Sequence, residues 1–329
     1  ALHDLAIQPS QKTFDCMINS AEIYSPTGKK IGINSKNQEV IVINRRELDK
    51  QAAYQAQQSG AEIMVKTSFK EKTDQVVQTS AGEIKCKILV DCRGVSRLVN
   101  SDRDGILLSA QYEVYADWII DRKVEVYFDQ IKYPGFFAWV IPSGNGVGKV
   151  GVAGKEINAS KTITDFLKSK GKHSVIRKIF APIWIKGPIK KFVSDDIVIA
   201  GDAAGQSKPT TAGGIYSCGM GGIIAGNAIT KYFETGVVSE LEQYQKSWHK
   251  KFGKEFEKQR LARKILERID NNTIDNIFDA ITPEILSEIS DKDDFDFHAV
   301  SIVKLLGMQK SLNVTQNIMR AEIKRLLTR

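Results

Sequence analysis

The sequence predicts an α/β protein: a layer of parallel strands and helices, an antiparallel sheet set into it, and a helical C-terminal region. Three observations carry this expectation. Continuous apolar runs at residues 88–90 and 197–199 each lead into a glycine-containing turn, as parallel strands covered on both faces do. Residues 110–155 alternate apolar and polar side chains between turn signals at Pro134, Gly135, Gly144, Asn145 and Gly146, which suits antiparallel strands. The last hundred residues have helical periodicity and no strand pattern.

Taken in order, AEIYSPTGKKIGI turns at Pro26, Thr27 and Gly28 and predicts a hairpin, and QEVIVIN predicts a further strand. RRELDKQAAYQAQQSG spaces Leu48, Ala52, Ala56 and Ser59 as a helix that stops at Gly60, and AEIMVKTSF is expected to follow as a strand. QVVQTS and IKCKILVDCRG are two more strands, and QYEVYADW, KVEVYFD, FFAWVIP and GKVGVA form the antiparallel block. Helices are expected over about 162–170 and 175–180, then a short strand ending at Phe192. A buried strand at 197–199 enters a glycine loop and a small-residue helix reaching about Phe233. From 240 to 268 a basic helix carries Leu241, Tyr244, Trp248, Phe252 and Phe256 on one stripe.

With 42% hydrophobic and 26% charged residues, the 329-residue chain is neither disordered nor collagenous, and it is long enough for two domains. Its net charge of +8 favours an anionic membrane surface or plain solubility. Nucleic acid is not expected, because the basic residues follow one amphipathic helix without stacking aromatics. Cys16, Cys86, Cys92 and Cys218 form no C-x-x-C pair, and His3, His173, His249 and His298 are dispersed, so a reducing compartment and no metal site are expected. The first twenty residues have no basic start or apolar run of a signal peptide. The uncharged stretch 212–229 carries six glycines and reads as a packed helix, not a membrane span.

The most informative segment is VIAGDAAGQSKPTTAGGIYSCGMGG, residues 198–222. A buried strand delivers Asp202 to a strand's C-terminal edge, where α/β folds bind ligands. Gly205 turns the chain, and Gly213 and Gly214 open a helix whose first N–H groups and dipole favour an electron-rich group. On these residues alone, a ligand site and a glycine-rich turn that permits close helix packing both remain open.

G-D-A-A-G-Q-x-K-P-T-T-x-G-G-I resembles the second flavin-binding motif of the geranylgeranyl reductases, within the wider para-hydroxybenzoate-hydroxylase-like flavoproteins. The resemblance implies FAD as cofactor, with Asp202 on its ribityl and pyrophosphate portion and Gly205, Gly213, Gly214 and Ile215 against the rest. INRRELDKQAA resembles D-R-x-x-F-D-x-x-L-A, which implies that Arg45 reaches the FAD phosphates or ring edge; Asn44 and Glu47 depart from that pattern. DCRGVSR resembles the D-G-x-G-x-x-S-R turn near the flavin, with Cys92 in place of a glycine. YPGFFAWVIPSGNGVGKVGVA is similar to the family's aromatic-x-W-x-F-P signature, which implies an apolar wall of Phe137, Trp139 and Pro142 over the flavin, suited to an isoprenoid chain.

The implied protein is a flavin-dependent reductase of geranylgeranyl double bonds in membrane ether-lipid precursors, with a Rossmann-like FAD-binding domain over 44–108 and 193–232. The substrate domain is expected over 14–43 and 109–192, and a helical region over 233–329. An external electron donor of NADPH or ferredoxin type and an isoprenoid lipid are the expected partners, with a cytoplasmic location and peripheral contact with the inner membrane surface. No catalytic acid is marked. No strand–glycine loop–helix unit of the G-x-G-x-x-G kind is recognised, so the chain is expected to lack the first 45 to 50 residues of a full member. A flavin monooxygenase or halogenase on the same scaffold, and a non-catalytic binding module, stay open as alternatives.

Overall fold

The structure, a computed structural model, describes residues 2–34, 40–99 and 102–282. In chain order its elements begin with strands β1 (Phe14–Ile18), β2 (Ser20–Tyr24), β3 (Lys30–Asn34) and β4 (Val40–Ile43), helix α1 (Arg45–Gln58), and strands β5 (Phe69–Thr73), β6 (Val76–Thr79), β7 (Gly82–Lys85) and β8 (Leu89–Asp91). Then come β9 (Ile106–Tyr115), β10 (Lys123–Tyr127), β11 (Ala138–Gly144), β12 (Val147–Gly154), helix α2 (Ala159–Lys170) and β13 (Ser174–Trp184). Strands β14 (Val193–Ser194) and β15 (Ile197–Ile199) precede helices α3 (Ile215–Thr235), α4 (Ser239–Leu266) and α5 (Asn271–Ala280).

The alternating block closes into a seven-stranded sheet in the order β13-β9-β12-β11-β10-β2-β3. Its neighbours are antiparallel except β10 and β2, which run parallel and bring the early hairpin onto the sheet. Alternation sends Ala110, Tyr112 and Val114, Ala138 and Val140, and Val150 and Val152 to one face. Helix α2 covers that face with Ile163, Phe166 and Leu167, spaced i, i+3, i+4. Burying each of these side chains contributes roughly 2 kcal/mol. The Asn158 side chain accepts from the Lys161 N–H to start α2, and Gly171 at φ 118° ends it.

The same face carries a polar network. Lys123 pairs with Glu22 at 2.6 Å and Glu125 at 3.2 Å, and Lys170 of α2 reaches Glu125 at 2.7 Å. Tyr24 and Tyr127 stack at 4.5 Å above these groups. Hydrogen bonds from Lys123, Lys30 and Tyr24 hold the Glu22 carboxyl down at about 2. Burial pushes Glu125 up, but Lys170, Tyr127 and Lys123 outweigh it and hold that carboxyl below its ordinary range.

A second layer is built on the three-stranded sheet β14-β15-β8, in which β15 and β8 are parallel. Val198 and Ile199 pack with Phe192, Ala225 of α3, and Leu241, Tyr244, Trp248, Phe252 and Phe256 of α4. The apolar stripe of α4 is therefore consumed in this core, leaving Lys246, Lys250, Lys251, Lys254, Lys258 and Arg260 outside, while Arg263 is buried. No helix among the described residues is long and apolar enough to cross a membrane.

Four expectations need correction. The segment around 175–180 is not a helix but lies within β13, where Val175 pairs with Val114 and Ile179 with Gln111. Its apolar residues fit helical spacing equally well, but Pro182 at the sheet edge and the long β9 partner select the strand. Residues 61–68 form no strand: Ile63, Met64 and Val65 are exposed, and Lys66 takes φ 54°, so pairing starts only at Phe69. IKCKILVDCRG is two strands, β7 and β8, in different sheets, and Val90 of β8 is exposed at an edge instead of doubly covered. No strand ends at Phe192; the chain becomes extended and paired only at β14, and Phe192 is a fully buried core residue. The expected helical region beyond residue 282 lies outside the described residues.

Candidate functional site

Strand β15 hands the chain to a single 3-10 turn, Gly201–Ala204, packed beside the matching turn Gly94–Arg97 that follows β8. Gly205 ends the turn in the left-handed region at φ 68°, and a Cβ there would lie 2.1 Å from the Gly187 carbonyl oxygen, so no other residue fits. The fully buried Gln206 then locks the turn. Its Oε1 accepts from the Gly201 N–H at 2.8 Å, its Nε2 donates to Tyr244 Oη at 2.8 Å, and that hydroxyl donates to the Ile199 carbonyl at 2.9 Å. Ser217 Oγ donates to the Gln206 carbonyl, and Trp248 Nε1 to the Ser217 carbonyl, tying α3 and α4 to the same loop.

Residues 208–213 close on themselves: the Lys208 N–H reaches the Gly213 carbonyl at 2.9 Å, and the Ala212 N–H reaches the Lys208 carbonyl at 2.8 Å. Gly214 is the N-cap of α3 and has no side-chain cap, so the first helical N–H groups point out of the helix end without a side-chain acceptor. Asp202 stands beside them, accepting from Cys218 Sγ at 3.4 Å. Burial first, and the neighbouring Asp202 charge second, push the Cys218 thiol well up, so it stays a thiol.

These elements form one wall of a cleft of 1710 Å³. Lys208, Gly213, Gly214 and Ile215 line it directly. Arg45, exposed at the first turn of α1, lies on its rim and pairs with Asp49 at 3.2 Å. The Asn44 side chain that departs from the family pattern caps α1 by accepting from the Glu47 N–H. The opposite wall is the uncovered face of the seven-stranded sheet, contributed by Gln111, Glu113, Ile141, Ser143 and Ile179, with Ile18, Val40 and Val42 from the β1–β4 pair.

Of the sequence-predicted residues, Arg45, Gly213, Gly214 and Ile215 meet at this cleft, Asp202 stands beside Gly214, and Gly205 packs against Gly187 and Trp184 instead. The three residues of the β11 signature are not among its lining. Phe137 and Trp139 share a strand face with Ile141 but belong to an aromatic group with Phe136, whose ring stacks on Phe137 at 4.0 Å. Ala212 of the glycine loop packs on that group. Pro142 points to the opposite, α2-covered face by strand alternation, and its carbonyl accepts from Cys16 Sγ.

A G-x-G-x-x-G string does occur, at Gly146, Gly148 and Gly151, but it runs into and along β12 instead of joining a strand to a helix. Gly151 is explained by packing, since a Cβ there would sit 2.2 Å from the indole of Trp139.

The structure gives two motif residues partners that the motifs do not name. Gln206 organises the turn through partners as distant in sequence as Tyr244. Asp91, at the end of β8, is clamped by Arg93 at 2.8 and 3.0 Å and by Arg97 at 3.1 Å, and the Ala200 N–H bonds its carbonyl. Burial raises the Asp91 carboxyl, but the Arg93 hydrogen bonds and both guanidinium charges overcome it and keep it ionised.

The glycine wall fits the flat end of a flavin. A Cβ on Gly213 would lie 2.9 Å from Lys208 Cε, the movable end of a side chain, and one on Gly214 would lie 2.9 Å from Cys218 Sγ, so bare backbone at both positions packs against these side chains beside the cleft. Donor N–H groups, a positive helix end and a nearby carboxylate are the contacts expected by a ring with polar edges and a hydroxylated chain.

No protein-family model matches the chain. Digeranylgeranylglycerophospholipid reductase from Methanocaldococcus jannaschii is 29% identical over 280 residues, 76% of this chain and 71% of that protein. A protein of the same name from Methanosphaera stadtmanae is 30% identical over 254 residues, 69% of this chain and 62% of that protein. Among solved structures, a geranylgeranyl bacteriochlorophyll reductase-like protein from Thermoplasma acidophilum superposes with a TM-score of 0.82 at 18% identity, covering 99% of this chain and 86% of that one. A flavin-dependent brominase superposes with a TM-score of 0.65 at 13% identity, covering 100% and 87%, and shares the fold. The sequence relatives thus liken the chain to digeranylgeranylglycerophospholipid reductases, and the solved structures share its fold.

Proposed function

We propose that this chain is an FAD-dependent reductase that saturates carbon–carbon double bonds of isoprenoid chains in membrane ether-lipid precursors. One observation carries the proposal: the glycine wall and the open face of the seven-stranded sheet, where Ile141 and Ile179 stand among Gln111, Glu113, Lys149 and Arg177, line a single cleft. The names of the sequence relatives supply the substrate class, a geranylgeranyl glycerophospholipid.

Bound reduced FAD would supply a hydride to one alkene carbon, with a proton completing the other. The chain's own residues bind, orient and exclude. Gly213, Gly214 and the start of α3 hold the ring's polar edge, Asp202 accepts from the hydroxylated chain, and Arg45 on the rim offers a permanent charge to phosphate. Ile18, Val40, Val42, Ile141 and Ile179 give an isoprenoid chain apolar contacts between the polar Gln111, Glu113, Lys149 and Arg177 of the same cleft. The Phe137 and Trp139 group backs the loop that carries Ala212 and so fixes where the glycine wall stands. The electron donor is an external one of NADPH or ferredoxin type. Membrane contact, if the lipid is taken from a bilayer, falls to the basic outer face of α4, because its apolar stripe is buried.

Anaerobic turnover tests the proposal. With FAD, dithionite and a geranylgeranylated glycerophospholipid, the chain should add hydrogen to the lipid without oxygen. A product formed only when oxygen is admitted, and carrying oxygen or halogen, would overturn it in favour of a monooxygenase or halogenase.

A further inference from the structure

Lysine is rarely buried, because its ammonium loses hydration that must be replaced. Lys208 is only 3% exposed, yet it borders the cleft. Its side chain folds over the glycine wall: Cε lies 2.9 Å and Nζ 3.4 Å from the position a Gly213 Cβ would take. The ammonium therefore rests against the backbone that presents the start of α3, where uncapped N–H groups and the helix dipole already make the potential positive. On the other side, Asp202 Oδ1 lies 3.3 Å from the Gly214 Cβ position, so a carboxylate borders the same backbone and Lys208 opposes its field.

A ligand that stays neutral gains little from the ammonium, whereas one that acquires negative charge during its working cycle gains in the charged state only. Resting on the assignment of the cleft to FAD, we propose that Lys208 is the residue that favours the reduced state of the bound flavin. Two electrons and one proton entering the neutral ring leave it with one net negative charge, and the ammonium beside the glycine wall stabilises that charge. Lys208 thereby makes the flavin easier to reduce and sets which donors can reduce it. The role needs the charge and not the length of the side chain.

The test is the midpoint potential of FAD bound to the full chain, measured anaerobically by dithionite titration against a reference dye, for wild type, Lys208→Met, Lys208→Gln and Lys208→Arg. Thermal unfolding is followed in parallel. The neutral variants should keep oxidised FAD and lose at least tenfold in the reduction equilibrium constant, about 30 mV for a two-electron couple. Lys208→Arg should stay within threefold of wild type. Equal potentials in wild type and the neutral variants would overturn the inference and leave the cleft assignment standing. Loss of oxidised FAD from both neutral variants would also overturn it, since a charge aimed at the reduced state leaves the oxidised state bound. A wild-type chain that takes up no flavin would overturn the cleft assignment itself, and the inference with it.

Discussion

The two faces of the seven-stranded sheet come from the same alternating strands and have opposite fates. On one, Ala138, Val140, Val150 and Val152 are sealed by α2, and the charged groups present are paired into the Glu22, Lys123, Glu125 and Lys170 network. On the other, Ile141 and Ile179 face the cleft, and no helix among the described residues covers them. A side chain on the sealed face is fixed by folding, while one on the open face lines the cleft that the proposed function assigns to a ligand. Substitutions on the two faces should therefore separate stability from binding.

The largest effect should come from placing a charge on the sealed face. Val140→Asp buries an unpaired carboxylate and should cost about 4 kcal/mol or more, read as loss of the urea transition. Ile141→Asp, one residue along on the open face, should keep a cooperative transition within roughly 1.5 kcal/mol of wild type and abolish turnover of the lipid. Equal destabilisation at both positions would erase the distinction between the faces.

Next in size, Gln206→Leu removes the acceptor of the Gly201 N–H and the donor to the Tyr244 hydroxyl, which keeps its bond to the Ile199 carbonyl. It should lower stability by about 1–3 kcal/mol and weaken FAD binding, as isothermal titration would measure. Tyr244→Phe should weaken both less, because Gln206 keeps its bond to Gly201.

The sealed face also predicts an acid limit. Glu22 and Glu125 there, and Asp91 of β8 in the other layer, have carboxyls held below their unfolded values, so their stabilisation is fully present above the ordinary carboxylate range and is lost as pH falls. For Glu22 the loss should run from about pH 4.5 down to about 2. The urea midpoint should be flat above that range and decline below it, and Lys123→Met should flatten the decline. The smallest structural effect belongs to Arg45→Ala, where an exposed rim residue should change stability by less than about 0.5 kcal/mol while reducing FAD affinity several-fold.

The glycine wall and the α4 stripe were legible in the sequence for a local reason. Gly201, Asp202, Gly205, Gly213 and Gly214 lie within fourteen residues, and Leu241, Tyr244, Trp248, Phe252 and Phe256 repeat at helical spacing, so neighbours in sequence are neighbours in space. Strand β13 was not legible, because Val175, Ile176, Ile179 and Phe180 satisfy helical and extended patterns alike and its partner β9 lies more than fifty residues upstream. The Gln206 network has the same origin, joining residues 199, 201, 206, 217 and 244 through folding alone. Alternation gave the two faces of β11 but not which face would stay open, and so Phe137, Trp139 and Pro142 were expected together at a wall whose cleft-lining members are Ile141 and Ser143.

The most direct test of the central claim is a crystal structure of the chain with FAD. The flavin ring should lie against Gly213 and Gly214 at the start of α3, with its outer face open to Ile141 and Ile179 of the sheet. A flavin bound elsewhere, or a ring whose outer face is closed off from that sheet face, would contradict the account.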